Sequence, residues 1–420
     1  MEQAHIASYW LKKKLGSTFD SIPRHKRAVI FPEPLWSIPF GLIWAYASLF
    51  QEKLGLSPVE IGLVSSVQLA VYTVASFFGG YLADRFGRRR AILVFDLMSW
   101  TAATLIWAVS RNFGHFLIAA ILNGLGGVAE ICFGCLLVED TQPEDRLVIF
   151  SWLQVIDILS GLFVPFAGVL VGIYGVVAAT RGMYWVAFAS MTFMFFLRNA
   201  LMRETSVGLQ RMAETKGQPW VDSLRQIPKV LRFIAHDRAV LALFIVSVVT
   251  RVRYTVMGVY LALHLTRWIG LAPAAVAAFP TVSSLMIIIV TVLVIPLIGY
   301  SKANAKLTLG LLAAAAGTTV IALAPRQPAS GLWWALAGMT VLGGATAIIN
   351  PFHSTVWHNA LPDESRAQIL AVTAVVRMLL ITPSGYLAGL LFAVSPVYVM
   401  LALAVLLAGA AVVLRVNVKQ

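Results

Sequence analysis

Apolar runs of about 20 residues or more, each long enough to cross a hydrocarbon core, recur about twelve times along the chain and are separated by short polar joints. The pattern predicts helices at 31–51, 58–83, 91–110, 114–138, 147–174 and 181–201. After a longer polar stretch it predicts six more, at 239–265, 272–299, 305–324, 331–358, 367–392 and 395–415. The expected fold is therefore an all-α membrane protein with 12 transmembrane helices in two pseudo-symmetric six-helix bundles. The expected division is a polar arm at 1–30, a first bundle at 31–201, a linker at 202–238, a second bundle at 239–415 and a tail at 416–420.

Within the linker, Trp220, Leu224, Ile227, Leu231 and Ile234 recur at helical spacing opposite Asp222, Arg225, Lys229 and Arg232. Such a stripe predicts a helix lying on the membrane surface. A weak internal repeat supports the two bundles: Pro143-Glu144-Asp145-Arg146 precedes the fifth span, and Pro362-Asp363-Glu364-Ser365-Arg366 precedes the eleventh. Both spans then carry a proline and a glycine, Pro165 with Gly168 and Pro383 with Gly385, which predict bends.

Composition agrees with a life in lipid. Of 420 residues 59% are hydrophobic and 12% charged, against roughly 25% charged in soluble domains. The net charge of +13 would suggest nucleic acid in a soluble chain, but here the basic residues sort by loop. Lys12 to Lys14, Arg24, Arg27, Arg85 and Arg88 to Arg90 share one side with the linker, whereas Lys53, Arg111, Arg181, Arg267 and Arg326 fall on the other. By the positive-inside rule both termini are expected in the cytoplasm, in a cell (inner or plasma) membrane, with lipid rather than nucleic acid as the surrounding partner. The first apolar run begins near Ala28 after a basic arm, so the first span is expected to act as its own insertion signal. Cys132 and Cys135 lie inside a span without further ligands nearby and are expected to pack as small apolar residues.

Charges that sit in the spans are the candidate chemistry, since each costs at least roughly 2.5 to 3.5 kcal/mol on insertion scales. Counting the helical rise, Glu130, Asp157, Arg251 and Arg377 all lie roughly 15 to 18 Å from the basic side, near the midplane. Asp157 follows Arg146 by the same eleven positions that separate Arg377 from Arg366. Pseudo-symmetry would then set an acid and a base at matching places in opposite halves. Arg251 and Arg253 point about 200° apart on one helix, so one of them is expected to face a central cavity. Asn123, Gly127, Glu130 and Gly134 share one stripe. Asp96 is shallower and is expected to partner a loop arginine. Trp44, Tyr46 and Tyr254 are candidate pathway aromatics, and Asn350-Pro351 marks an expected break in the tenth span. His264, His353 and His358 lack metal-ligand spacing, so neither metal nor cofactor is expected.

The joint between the second and third spans reads Gly80-Tyr-Leu-Ala-Asp84-Arg85-Phe-Gly87-Arg88-Arg-Arg. The spacing of Gly80, Asp84, Arg85, Gly87 and Arg88 resembles the signature loop of the major facilitator superfamily. With six-plus-six hydropathy and a central loop, the resemblance covers essentially the whole chain. It implies that helices 1, 4, 7 and 10 line a central cavity. It also implies that Asp84 caps the start of the eleventh helix in the outward-facing state, and that Arg88 pairs with an acid ending the fourth, here Glu139 or Asp140. Several positions depart from the family's proton-driven exporters. Asn123 stands where an arginine is frequent, Val164 and Val169 stand where glycines surround the proline, and Gly299-Tyr300-Ser301-Lys302 lacks the acid of the second signature loop.

The first expectation for function is a monomeric secondary transporter that moves a small organic solute by alternating access, exporting an amphipathic or drug-like compound against protons through Asp157 or Glu130. The second is uptake of an organic anion, with Arg251, Arg253 and Arg377 supplying charge. The third is a sensor or partner-binding protein that keeps the fold without transport. An enzyme is not expected, because no nucleophile, base and orienting group occur together, and no phosphate-cradling loop offers ATP.

Overall fold

The computed structural model describes residues 24–214, 236–299, 301–362 and 366–418. These are helical, with no strand among the described residues. Ten helices are long and apolar enough to cross a membrane, and the bent pair Lys26–Trp44 with Ala47–Lys53 adds another. One of the ten, Val148–Leu201, contains Gly175 in a conformation (φ 77°) that no helix adopts. At 1.5 Å per residue that stretch would far exceed a bilayer core if straight. Arg181 beyond the turn reaches Ser110 O at 2.8 Å, while Arg198 further along meets Asp96 earlier in the third span. The chain therefore doubles back at Gly175, and the described residues make twelve crossings.

In chain order these are α1 (Lys26–Trp44 with Ala47–Lys53), α2 (Pro58–Phe86), α3 (Arg88–Val109), α4 (Phe113–Val138), α5 (Pro143–Gly161 and 164–174) and α6 (176–201). The second half holds α7 (Arg238–Arg267), α8 (Pro273–Ile298), α9 (Ala303–Ala322), α10 (Pro328–Asn359), α11 (Arg366–Ile381 and Ser384–Val394) and α12 (Pro396–Asn417). The expected surface helix around Trp220 to Ile234 lies outside the described residues; the linker's described part is the short helix Ser206–Glu214.

Local chemistry sets these boundaries. At the start of α2, Ser57 Oγ accepts from Glu60 N while Glu60 Oε2 accepts from Ser57 N, with Pro58 in the first turn. Asp237 Oδ1 accepts from Ala239 N and Val240 N at the start of α7. Gly87 takes φ 83° between α2 and α3, a left-handed value that favours a residue without Cβ. The bends expected in α5 and α11 fall at equivalent places, at 162–163 before Pro165 and at 382–383 before Gly385.

Two expectations are corrected. Arg181 is not a loop residue but lies inside α6, because Gly175 alone makes the turn. Asn350-Pro351 does not break α10, which runs unbroken from Pro328 to Asn359. Proline removes one backbone hydrogen bond, and the buried flanking side chains Ile349 and Phe352 hold the helix in register across it.

The basic loops mark one end of the molecule. At the opposite, far end the two halves lock together. Tyr260 Oη of α7 lies 2.9 Å from Pro58 O and 3.0 Å from Gly385 O, and Tyr386 N donates to Ser66 Oγ at 2.9 Å. Tyr46 Oη of α1 donates to the Pro273 and Ala274 carbonyls at the start of α8. Arg267 pairs with Glu52 beside them. Backbones touch where glycines permit: a Cβ on Gly62 would stand 2.2 Å from Gly385 O. Gly62→Ala is therefore expected to force the far end apart. Spin labels at Lys53 and Gln327, with both native cysteines replaced, should report longer distances in the variant. An unchanged distribution in folded protein would show that this seam does not hold the halves together.

Candidate functional site

Below the far-end seam lies a cavity of about 580 Å³. Its wall is drawn mainly from α1, α2, α3, α4 and α6 of the first half and from α7 of the second. One face is aromatic. Trp36, Phe40 and Trp44 follow each other at one-turn spacing along α1, with Trp36 and Phe40 stacked at 4.9 Å between centroids and Phe40 to Trp44 at 5.4 Å. Trp100 of α3 stands edge-on to both Trp36 and Phe40, at 5.1 and 5.6 Å. The Trp44 ring lies against Gly258 of α7, where an added Cβ would meet it at 2.7 Å. Stepping back about 10 Å along each helix from that contact brings Arg251 level with the Trp36–Phe40 pair.

The midplane charges separate into those that face water and those that do not. Arg251 is exposed in the cavity, its guanidinium 5.6 Å from the Tyr254 ring, and no carboxylate among the described residues pairs with it. It lies within electrostatic reach of Tyr72 and of Arg377 on α11. Arg377 is half-buried, and its Nε has no hydrogen-bond partner among the described residues. Arg253 points away, 8% exposed inside the second bundle with its Nε likewise unpartnered. Helix geometry thus allowed one of two neighbouring arginines to face the cavity, and that one is Arg251.

Glu130 is exposed on the cavity wall and accepts from Tyr72 Oη at 2.6 Å. Asp157 is exposed but lies outside the cavity lining, within electrostatic reach of Tyr254. It makes no ion pair with Arg377. Residues related by a pseudo-twofold stand on opposite sides of its axis, so matched depth does not bring them together.

Two other candidates, Asn123 and Tyr46, hold the scaffold. Asn123 is buried at the cavity wall, donating from Nδ2 to Ser99 O at 2.7 Å and accepting from Gln68 Nε2 at 2.7 Å, so its amide ties α2, α3 and α4 together there. Tyr46 is fully buried in the far-end seam and lines no pathway. Asn350 is exposed yet outside the cavity lining. Trp44 and Tyr254 do line it.

At the basic end Arg88 is 4% exposed and gathers the signature loop. Its guanidinium takes Glu139 through Nε and Nη2 at 3.0 to 3.2 Å and Asp84 at 2.7 Å. Of the two acids ending α4, Glu139 is thus its partner. Asp140 instead accepts from Ser206 N at 2.8 Å, fixing the linker helix. Gly80 leaves open space on α2, and Arg85 donates to Tyr81 Oη at 2.7 Å. Glu204 is a partner that the sequence reading missed: it accepts from Arg88 N and Arg89 N at 3.1 and 2.9 Å, capping α3. Lys26 is another, donating to Leu136 O and Glu139 O at the end of α4. Both lie outside the signature spacing, in stretches that looked like solvated charge.

A third missed group lines the cavity. Asp96 is partnered not by a loop arginine, as expected, but by Arg198 of α6, which also meets Glu33 at 3.3 Å. The rings of Phe133 and Phe195 flank that guanidinium at 5.7 and 5.6 Å.

Among the described residues twelve helices form two bundles around a cavity, with a charged loop after α2. The Major Facilitator Superfamily profile matches residues 37–384, and the chain belongs to that family. It is 31% identical over 162 residues to the uncharacterized MFS-type transporter YqjV of Bacillus subtilis, covering 34% of this chain and 38% of the relative. It is 23% identical over 237 residues to multidrug resistance protein MdtG of Salmonella paratyphi C, covering 55% of each. The matched stretches thus span only about a third to a half of these relatives. A crystal structure of nucleoside transporter NupG superposes with a TM-score of 0.71 at 13% identity, covering 93% of this chain and 97% of that one. At that identity the likeness is one of fold.

Removing one partner from a buried ion pair leaves the other charge stranded, at a cost of about 3 to 5 kcal/mol. Arg88→Ala, which takes the cation from both Glu139 and Asp84, is therefore expected to destabilise the protein by that order, Glu139→Ala by less because Asp84 still meets Arg88, and Arg88→Lys to restore little because a single ammonium cannot reproduce the forked contact. Thermal unfolding in detergent measures all of these. Arg88→Ala unfolding within a degree of the parent would show the pairs to be dispensable.

Proposed function

We propose that the protein carries a small organic anion with a flat, apolar body across the membrane by alternating access. The observation that carries this reading is Arg251, exposed in the cavity, level with an aromatic face and paired with no carboxylate among the described residues, with Arg377 of α11, half-buried outside the cavity lining, within electrostatic reach of it. A carboxylate or sulfonate offers two oxygens to a planar guanidinium, while a ring or conjugated chain stacks on Trp36, Phe40 or Trp44.

The same pair supplies a reason for the halves to move. With the site empty, Arg251 and Arg377 repel, and closing the basic end over them would strip water from two unpaired cations. An anion between them removes both costs, so its binding favours the closed form by differential interaction. By the positive-inside rule the basic end faces the cytoplasm, which makes the present conformation closed to the outside and the bound state the one that can turn outward. Rocking about a midplane site needs no ATP.

Glu130 favours a second reading, export of a lipophilic cation against protons, because it is an exposed acid in the same cavity. That reading accords with the multidrug relative.

A matched pair of probes separates the two. Benzoate is expected to raise the melting temperature of the purified protein by mass action, and the uncharged benzamide to do so at least about tenfold less effectively. Arg251→Ala or Arg377→Ala should each weaken the benzoate effect by about tenfold, the scale of one lost charge-assisted contact. Stabilisation by tetraphenylphosphonium instead, lost in Glu130→Gln and untouched by either arginine substitution, would overturn the anion reading in favour of export.

A further inference from the structure

The group formed by Glu33, Asp96 and Arg198 is separate from the arginine pair, and its charges do not balance. Two carboxyls face one guanidinium, with side-chain exposures of 12% for Glu33, 8% for Asp96 and 5% for Arg198. Among the described residues no second cation pairs with either carboxyl. Lys26 is turned to the Leu136 and Glu139 carbonyls, Arg88 is held by Glu139 and Asp84, and Arg89 donates to Asn199 O. From α4 the titratable group nearest Asp96 is the Cys132 thiol, which brings no positive charge, and Phe133 and Phe195 present ring faces to Arg198 alone. A buried excess charge is neutralised or it costs several kcal/mol, and the smallest cation that fits against a carboxylate already sharing an arginine is a proton.

We propose that Glu33 and Asp96 together hold a single exchangeable proton and form the proton-binding site of the transporter. Both carboxyls meet Arg198, and the proton is assigned to Glu33, the more exposed of the two to the cavity at 12% against 8%. All three side chains line the cavity, so cavity water delivers the proton to a Glu33 oxygen and accepts it again when the carboxylate reforms. The assignment rests on the reading of the chain as a transporter but not on which solute it carries.

The position of Glu33 couples this site to the solute cavity. It occupies the turn at 31–33 between two helical pieces of the first span, flanked by Pro32 and Pro34, one turn before Trp36. Ionised, Glu33 ties that turn to Arg198 on α6. Protonated, it gives up the ionic hold while Asp96 keeps Arg198 in place, and the start of the aromatic face is released. Proton binding and the geometry of the solute wall are thus alternatives at one residue.

Infrared spectra of the purified protein in lipid vesicles, compared between about pH 5 and pH 9, test this directly. The expected result is a carbonyl band of one protonated, water-shielded carboxyl that titrates across this range. Glu33→Gln and Asp96→Asn should each abolish the band, since either leaves one acid facing one base, whereas Glu130→Gln and Asp157→Asn should leave it unchanged. The two substitutions are independent, so misfolding of one leaves the other decisive, and the parent spectrum needs no variant. The proposal is overturned by the absence of the band from the parent protein, by its survival in Glu33→Gln, or by its loss in Glu130→Gln or Asp157→Asn. It is equally overturned if sodium, but not potassium, stabilises the parent and the band is missing. Solute flux in the same vesicles reports separately on whether the chain transports.

Discussion

A charged side chain in the middle of a bilayer costs at least roughly 2.5 to 3.5 kcal/mol unless water or a counter-charge reaches it, and the arrangement of this chain follows from how that cost is met at each place. At the basic end it is met by pairing: Arg88 is enclosed by Glu139 and Asp84, and Glu204 closes the amide ends of α3. At midplane it is met by water in the cavity, where Arg251 and Glu130 are exposed. Arg198, between the two, is met by two acids where one would suffice for charge. Only the first arrangement is static. Cavity water can be expelled when the halves move, and a surplus acid can change its proton, so these two regions are where conformation and chemistry can be linked.

The far end obeys a different rule. Apart from the Arg267–Glu52 pair, its contacts are neutral: tyrosine hydroxyls on backbone carbonyls and glycine against glycine across α2 and α11. Neutral hydrogen bonds contribute about 0.5 to 1.5 kcal/mol each, and close backbone packing adds dispersion without desolvating charge. A seam of that kind is tight yet separable. By contrast, the Arg88 cluster joins α2, α3, α4 and the linker within one half and need not break when the halves rock.

The architecture was largely legible in the sequence, because hydrophobic length and loop charge are local properties that lipid enforces strictly. The turn expected at 175–180 is made by Gly175 alone, so Arg181, which looked like a loop residue, lies inside α6 opposite the Ser110 carbonyl. Asn350-Pro351 misled in the opposite sense, since a proline's local cost can be absorbed by packing that the sequence does not display. Depth along each helix placed Glu130 and Arg251 at one cavity. Depth alone carries no azimuth, which is why Asp157 fell outside the lining and Tyr46 proved to be a latch. Glu33, Asp96 and Arg198 escaped notice as a group because they come from three helices far apart in sequence, and Glu33 and Arg198 lie close enough to span ends to pass for interfacial charges.

What then relates the two charged regions is α1. A turn at 31–33 around Pro32 divides it, Pro39 sits inside the unbroken piece Pro34–Trp44, and it bends by 46° before Ala47. Along its length lie Glu33 at the Arg198 cluster, then Trp36, Phe40 and Trp44 on the cavity, then Tyr46 in the far-end seam. A helix with intact hydrogen bonding would hold these groups rigidly in one register. A helix with a turn at 31–33, where Glu33 sits, and a bend between Trp44 and Ala47 lets the ends stay anchored while the aromatic face shifts. The same turn and bend therefore let one element join the Arg198 cluster at its beginning, the aromatic cavity wall along its middle and the far-end seam at its end.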